Sequence, residues 1–158
     1  MKKITYVILM LVLVTGVQAQ EYSDGNLTVQ YTELSTQWVD LQTVEGVIFS
    51  AVLQDCNRPV DGIYQEMVFI KLVNTTEETK IVEFDLLLWY DGELWTRLPV
   101  NAEKRKSVVL KGGEMLVATC DPYSDYYYDI AIFSKFLNYS DKPELSKFQL
   151  SNLKVSFK

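Results

Sequence analysis

Two groups of aromatic residues carry the clearest binding chemistry in this sequence: Trp89, Tyr90 and Trp95 around a turn at Asp91-Gly92, and Tyr123, Tyr126, Tyr127 and Tyr128 just after Asp121-Pro122. Rings exposed on a β protein stack on sugars or anchor a protein partner, because each offers a broad apolar face and, in Trp and Tyr, one polar handle. The plainer reading of the same residues is packing, since aromatics are also favoured inside strands. Register decides the hairpin case. A two-residue turn at Asp91-Gly92 pairs Trp89 with Leu94 and Trp95 with Leu88, sending the tryptophans to opposite faces. A three-residue loop over 91–93 pairs Trp89 directly with Trp95 and displays both together. The candidate ligand-binding residues are Trp89, Tyr90, Trp95 and Tyr127.

Catalytic chemistry has less to draw on. The chain contains no histidine, which excludes Ser-His-Asp triads, histidine general bases and histidine zinc ligands. Asp121, Asp125 and Asp129 recur every fourth residue and could offer oxygen ligands to calcium, but the glycine and terminal glutamate of an EF-hand are missing. A solvated acidic loop is the simpler reading. Glycosidases need only two carboxylates, and the 21 acidic residues offer many pairs. An acid catalyst, however, needs a carboxyl in an apolar cleft, and short loops supply little material for one. There is no glycine-rich phosphate loop, nucleophile elbow or metal-ligand cluster. The sequence therefore predicts no catalytic residue, no metal and no cofactor, with a small carboxylate-based hydrolase as the remote alternative.

Cys56 and Cys120 are the only cysteines, and in an oxidising compartment they are expected to form one disulfide. Nothing like C-x-x-C suggests redox work. In immunoglobulin domains an inter-sheet disulfide packs on a tryptophan, and a tyrosine stands two residues before the second cysteine. Here position 118 is Ala118, and the first tryptophan after Cys56 is Trp89. Residues 27 to 157 thus resemble immunoglobulin-like or fibronectin-type-III-like sandwiches in architecture alone, a likeness that implies a fold and no functional residue.

The elements that must position these residues read as all-β. Short apolar alternation broken by turn residues predicts strands over 27–32, 47–55, 64–73, 80–90, 94–97, 106–110, 115–119, 127–136 and 148–157. Asn57-Arg58-Pro59, Asn74-Thr75-Thr76, Asp91-Gly92 and Lys111-Gly112-Gly113-Glu114 read as turns. Seven to nine strands at this spacing predict a single antiparallel β-sandwich. In 80–90, Val82, Phe84, Leu86 and Leu88 share one face, and Trp89 points away from it. The last strand changes parity between Leu150 and Leu153, which calls for a bulge near Ser151 and Asn152. Residues 33–44 read as a loop or one helical turn. Lysines 71, 80, 106 and 135, set among the strands, are expected to protect sheet edges. Asn26, Asn74 and Asn138 begin N-x-S/T triplets, and in a glycosylating host Asn74 and Asn138 would mark exposed turns.

Residues 1–19 read as a secretory signal: Lys2 and Lys3, an apolar run from Tyr6 to Val14, then Val17-Gln18-Ala19. That run is about half of the roughly 20 residues a membrane-spanning helix needs. Cleavage after Ala19 leaves a short mobile lead over 20–26 and one domain over 27–158, and it moves the formal charge from −6 to −8. Such acidity disfavours nucleic acid and anionic membrane as partners. The expected protein is a secreted or periplasmic bacterial module without catalytic activity, binding a protein or envelope component. A carbohydrate-binding module or adhesin subunit using the aromatics is the alternative.

Overall fold

Short runs of alternating apolar side chains can bury one continuous apolar face only by pairing edge to edge and stacking. The computed structural model describes residues 22–23, 25–121 and 130–158 and resolves this pattern into eleven strands. In chain order they are β1 (Tyr22–Ser23), β2 (Asn26–Gln30), β3 (Val39–Val44), β4 (Val47–Asp55), β5 (Gln65–Asn74) and β6 (Lys80–Tyr90). They continue with β7 (Glu93–Leu94), β8 (Arg105–Leu110), β9 (Met115–Val117), β10 (Ala131–Phe136) and β11 (Leu145–Phe157). Among the described residues two 3-10 turns, Tyr31–Glu33 and Pro59–Asp61, interrupt the strands.

The strands form two antiparallel sheets. One runs β1-β2-β11-β6, with β7 and β8 sharing the far side of β6; the other runs β3-β4-β5, with β9 and β10 sharing the far side of β5. Leu27, Val29, Leu86, Leu88, Phe148 and Leu150 from the first sheet and Phe49, Ala51, Ile70, Leu72 and Ile132 from the second belong to one buried cluster. This is a β-sandwich arrangement. Burial of a Leu or Phe side chain in such a core is worth about 1.5–3 kcal/mol. The parity change in β11 is met as expected: the register shifts between Ser151 and Lys154, and Asn152 takes φ 53.

Residues 33–44 differ from the expectation. They contribute β3, paired with β4 through a turn at Glu45-Gly46 whose φ values are 47 and 80. A glutamate in the left-handed region made that turn hard to recognise, because glycine, asparagine and aspartate are its usual occupants. Leu41 is buried while Asp40 and Thr43 are exposed, so half of β3 follows a strand pattern too short to outweigh helical spacing. Strand β7 is also shorter than predicted. At Leu88 the hydroxyl of Thr96 replaces a backbone partner, accepting from the Leu88 N–H at 2.9 Å and donating to the Leu86 carbonyl at 3.3 Å.

Asn74 is fully buried, not exposed in a turn. Its amide donates to the carbonyls of Glu78, Leu110 and Lys111, and its Oδ1 accepts from the Thr76 backbone and hydroxyl. One side chain therefore ties the β5–β6 loop to the β8–β9 loop, satisfying carbonyls that would otherwise be costly to bury. The same crowding needs glycine at position 112, where a Cβ would lie 2.2 Å from the Glu77 carbonyl oxygen. The lysines divide by position: Lys106 and Lys135 lie on the outer strands β8 and β10, whereas Lys71 and Lys80 lie on strands paired on both sides.

Cys56 and Cys120 form a disulfide with Cα atoms 5.5 Å apart. Cys56 follows β4 and Cys120 follows β9, and both strands belong to the same sheet. The bond thus staples one sheet at its end, unlike the inter-sheet bridge of immunoglobulin domains. Disulfide formation fits an oxidising, extracytoplasmic environment, and no helix among the described residues is long and apolar enough to cross a membrane.

Candidate functional site

The β6–β7 hairpin takes the two-residue turn. Asp91 and Gly92 have φ 50 and 84, the left-handed pair that matches strand twist, and Trp89 pairs with Leu94. The Trp95 N–H donates to the Leu88 carbonyl at 2.8 Å. Trp89 and Trp95 consequently sit on opposite faces, and the two-tryptophan platform does not form. Trp89 has Lys147 Nζ 4.3 Å from its ring centroid. Trp95 instead meets Tyr90 edge to face, with centroids 5.4 Å apart.

From Tyr90 the aromatic contacts cross to the other sheet. Tyr90 stacks on Phe133 at 6.3 Å and its hydroxyl donates to the Phe133 carbonyl at 2.6 Å. Phe133 meets Phe136 at 4.9 Å, and Phe136 meets Tyr139 edge to face at 5.7 Å. Five rings thus run from the β6–β7 hairpin to the loop after β10. Leu88, Tyr90, Trp95, Phe133, Phe136 and Pro143 line a cleft of about 450 Å³ between them, joined by Glu103, Lys104 and Lys142. Trp95 is 62% exposed and Tyr90 8%, so one ring is free to meet a ligand while the other holds the wall. Burial pushes the Tyr90 phenol up to about 12, which keeps it neutral and donating across the physiological range.

A second cavity, of about 460 Å³, shares Glu103, Lys104 and Phe133 with the first and adds Arg58, Met67 and Lys106. The two form one groove along the side where β8 and β10 lie as outer strands. Its aromatic half is apolar. Its other half gathers cations.

Of the predicted site residues, Tyr90 and Trp95 come together, Trp89 is directed elsewhere, and Tyr127 lies outside the described residues. Asp125 and Asp129 lie outside them as well, and Asp121 is exposed. Among the described residues no three acidic or cysteine side chains gather as a metal site would require. A part-buried carboxylate network lies elsewhere: Glu66 Oε1 accepts from the Tyr31 hydroxyl at 2.8 Å and the Ser134 hydroxyl at 2.9 Å, with Lys135 Nζ 3.9 Å away. These bonds hold β10 and the Tyr31–Glu33 turn against β5.

Phe133 and Phe136 were missed as site residues. Strict alternation places positions 133 and 136 on opposite faces, but β10 shifts register between Phe133 and Lys135 and brings the rings together. The three-residue spacing of Phe133, Phe136 and Tyr139 was the available signal, and it gains meaning only once the bulge is known. Comparison with known proteins yields no match, whether to family models, curated proteins or solved structures.

Proposed function

We propose that the mature protein is a secreted or periplasmic binding module without catalytic activity, and that it engages a protein partner through the cleft between the β6–β7 hairpin and β10. The observation that carries this reading is Trp95, 62% exposed at an aromatic cleft whose deeper rings are fixed by packing and by the Tyr90–Phe133 hydrogen bond. Exposed tryptophans beside preformed apolar pockets are frequent anchors in protein interfaces. The immunoglobulin-like reading of the architecture is compatible with such a role and contributes no residue to it.

Three tryptophans, Trp38, Trp89 and Trp95, report binding by fluorescence. A partner recovered by cross-linking in the native envelope should shift that fluorescence saturably, and Trp95→Ala should weaken binding at least tenfold, a loss of about 1.4 kcal/mol or more. Trp89→Ala should leave affinity within about twofold, a change below 0.5 kcal/mol. Equal loss from both variants, or from neither, sinks the assignment. A second reading, a glycan-binding module, draws on the same exposed ring; a saturable response to soluble polysaccharides that disappears in Trp95→Ala would put it first.

A further inference from the structure

We infer that the chain associates with a second copy of itself, β8 of one copy pairing antiparallel with β8 of the other about a two-fold axis at Ser107. This goes beyond the binding role proposed for the Trp95 cleft and does not depend on it.

Of the strands that end the two sheets, β8 is the one that offers a long, regular edge among the described residues. β1 and β7 have two residues each and β9 has three. β3 shifts register between Asp40 and Gln42, and β10 between Phe133 and Lys135. The Phe133 carbonyl is also taken already, by the Tyr90 hydroxyl. Short strands and bulges keep a sheet edge from pairing with another chain. β8 has neither: Arg105–Leu110 pairs with 80–85 of β6 without a shift, and the strand contains no proline or glycine.

The ladder fixes which backbone groups that edge presents. The Lys104 carbonyl accepts from the Leu86 N–H at 2.8 Å, so positions 104, 106, 108 and 110 turn their polar backbone groups to β6, and 105, 107 and 109 turn theirs outward. The Arg105 N–H accordingly donates to the Asn101 carbonyl at 3.1 Å. The Arg105 carbonyl and the backbone groups of Ser107 and Val109 have no partner among the described residues.

Charge selects the occupant and its register. Centring a two-fold pair on Arg105 or Lys106 sets like cations face to face, and centring it on Val108 sets Arg105 opposite Lys111. Centring it on Val109 runs the second strand into the Gly112-Gly113 turn. Centred on Ser107, Arg105 meets the second copy's Val109 and Lys106 meets its Val108, so the cationic end of one strand lies against the apolar end of the other. Such self-complementarity is what an isologous contact requires. Arg105 also keeps its own counter-ion, with Nε 3.1 Å from Asp85 Oδ1. The Ser107 residues then exchange a reciprocal pair of hydrogen bonds, and each Val109 N–H donates to the second copy's Arg105 carbonyl. Val109, 46% exposed in one chain, gains a neighbour.

An edge contact of this length is at the small end of specific interfaces, so a dissociation constant on the order of 10–100 μM is expected. Sedimentation velocity of the mature oxidised protein from about 1 to 500 μM should therefore show the average mass rising towards twice that of one chain. Ser107→Pro removes an outward donor without touching the β6 ladder, and Val109→Lys sets a cation opposite Arg105; each should weaken association about tenfold or more. In Ser107→Cys, oxidation should link two copies, because residues of a hydrogen-bonded pair stand about 5.5 Å apart at Cα, within disulfide reach. In Val109→Cys the equivalent positions are offset by four residues, roughly 14 Å, and linkage should be at least about tenfold slower.

A mass that stays at one chain throughout overturns the inference. So does a dimer that Ser107→Pro and Val109→Lys both leave intact, or equal linkage at 107 and 109. If Ser107→Pro fails to fold, Val109→Lys and the two linkage rates decide.

Discussion

Tyr90 sits where the two sheets meet, and its hydroxyl bridges them by donating to the Phe133 carbonyl. Burial raises its pKa from 10 to about 12, so the folded state holds the proton more tightly than the unfolded chain does. That contribution is complete below pH 10 and is lost as pH rises from 10 towards 12, amounting to at most about 3 kcal/mol at 1.36 kcal/mol per unit. Tyr31 is raised by burial, and Lys135 chiefly by its hydrogen bond with Tyr31, so both act in the same direction. Denaturant unfolding at pH 8, 10 and 11.5 should show a steepening loss of stability, and Tyr90→Phe should flatten it. An identical slope in that variant would place the effect elsewhere. The aromatic character of position 90 was legible in the sequence. Its role as a bridge was not, because the acceptor is a backbone carbonyl 43 residues away.

At the level of elements, the outer side of β6 is served by four different partners in succession. Strand β8 pairs with Lys80–Asp85, the Lys104 carbonyl accepts from the Leu86 N–H, and Thr96 and β7 complete the run to Tyr90. Thr96 is thus the side-chain patch in a broken ladder, beside the ring that forms the candidate site. Thr96→Val keeps the shape but leaves the buried Leu88 N–H without an acceptor, at a cost of about 1–3 kcal/mol. A urea midpoint lowered accordingly, with Thr96→Ser close to wild type, is the expected result; an unchanged valine variant would mean that backbone or water fills the gap. Apolar alternation was enough to find β6 and the Asp91-Gly92 turn. It overran β7, because periodicity says nothing about which hydrogen-bonding group, backbone or hydroxyl, meets the neighbouring strand.

Over the whole molecule, the disulfide closes a loop spanning 64 sequence positions that encloses β5 through β9. Closing a loop of that length restricts the unfolded chain by about 4 kcal/mol in the chain-entropy model. The double variant Cys56→Ser, Cys120→Ser should therefore unfold at a clearly lower denaturant concentration, and a midpoint within about 0.5 kcal/mol of wild type would show that the bond adds no constraint the core lacks. Composition and apolar alternation already determined an acidic all-β chain, a paired cysteine framework and the absence of histidine chemistry, because these follow from residue types and from a period of two that any strand must obey. The site was decided only by tertiary structure. Whether Trp89 or Trp95 joins Tyr90 depends on a one-residue choice of register, and whether Phe136 joins Phe133 depends on a bulge; each flips a side chain across a sheet without changing the local pattern. The cations of the groove come from the 3-10 turn at Pro59, the β7–β8 connection, β8 and the loop after β10, segments that only the stacking of the two sheets brings to one seam.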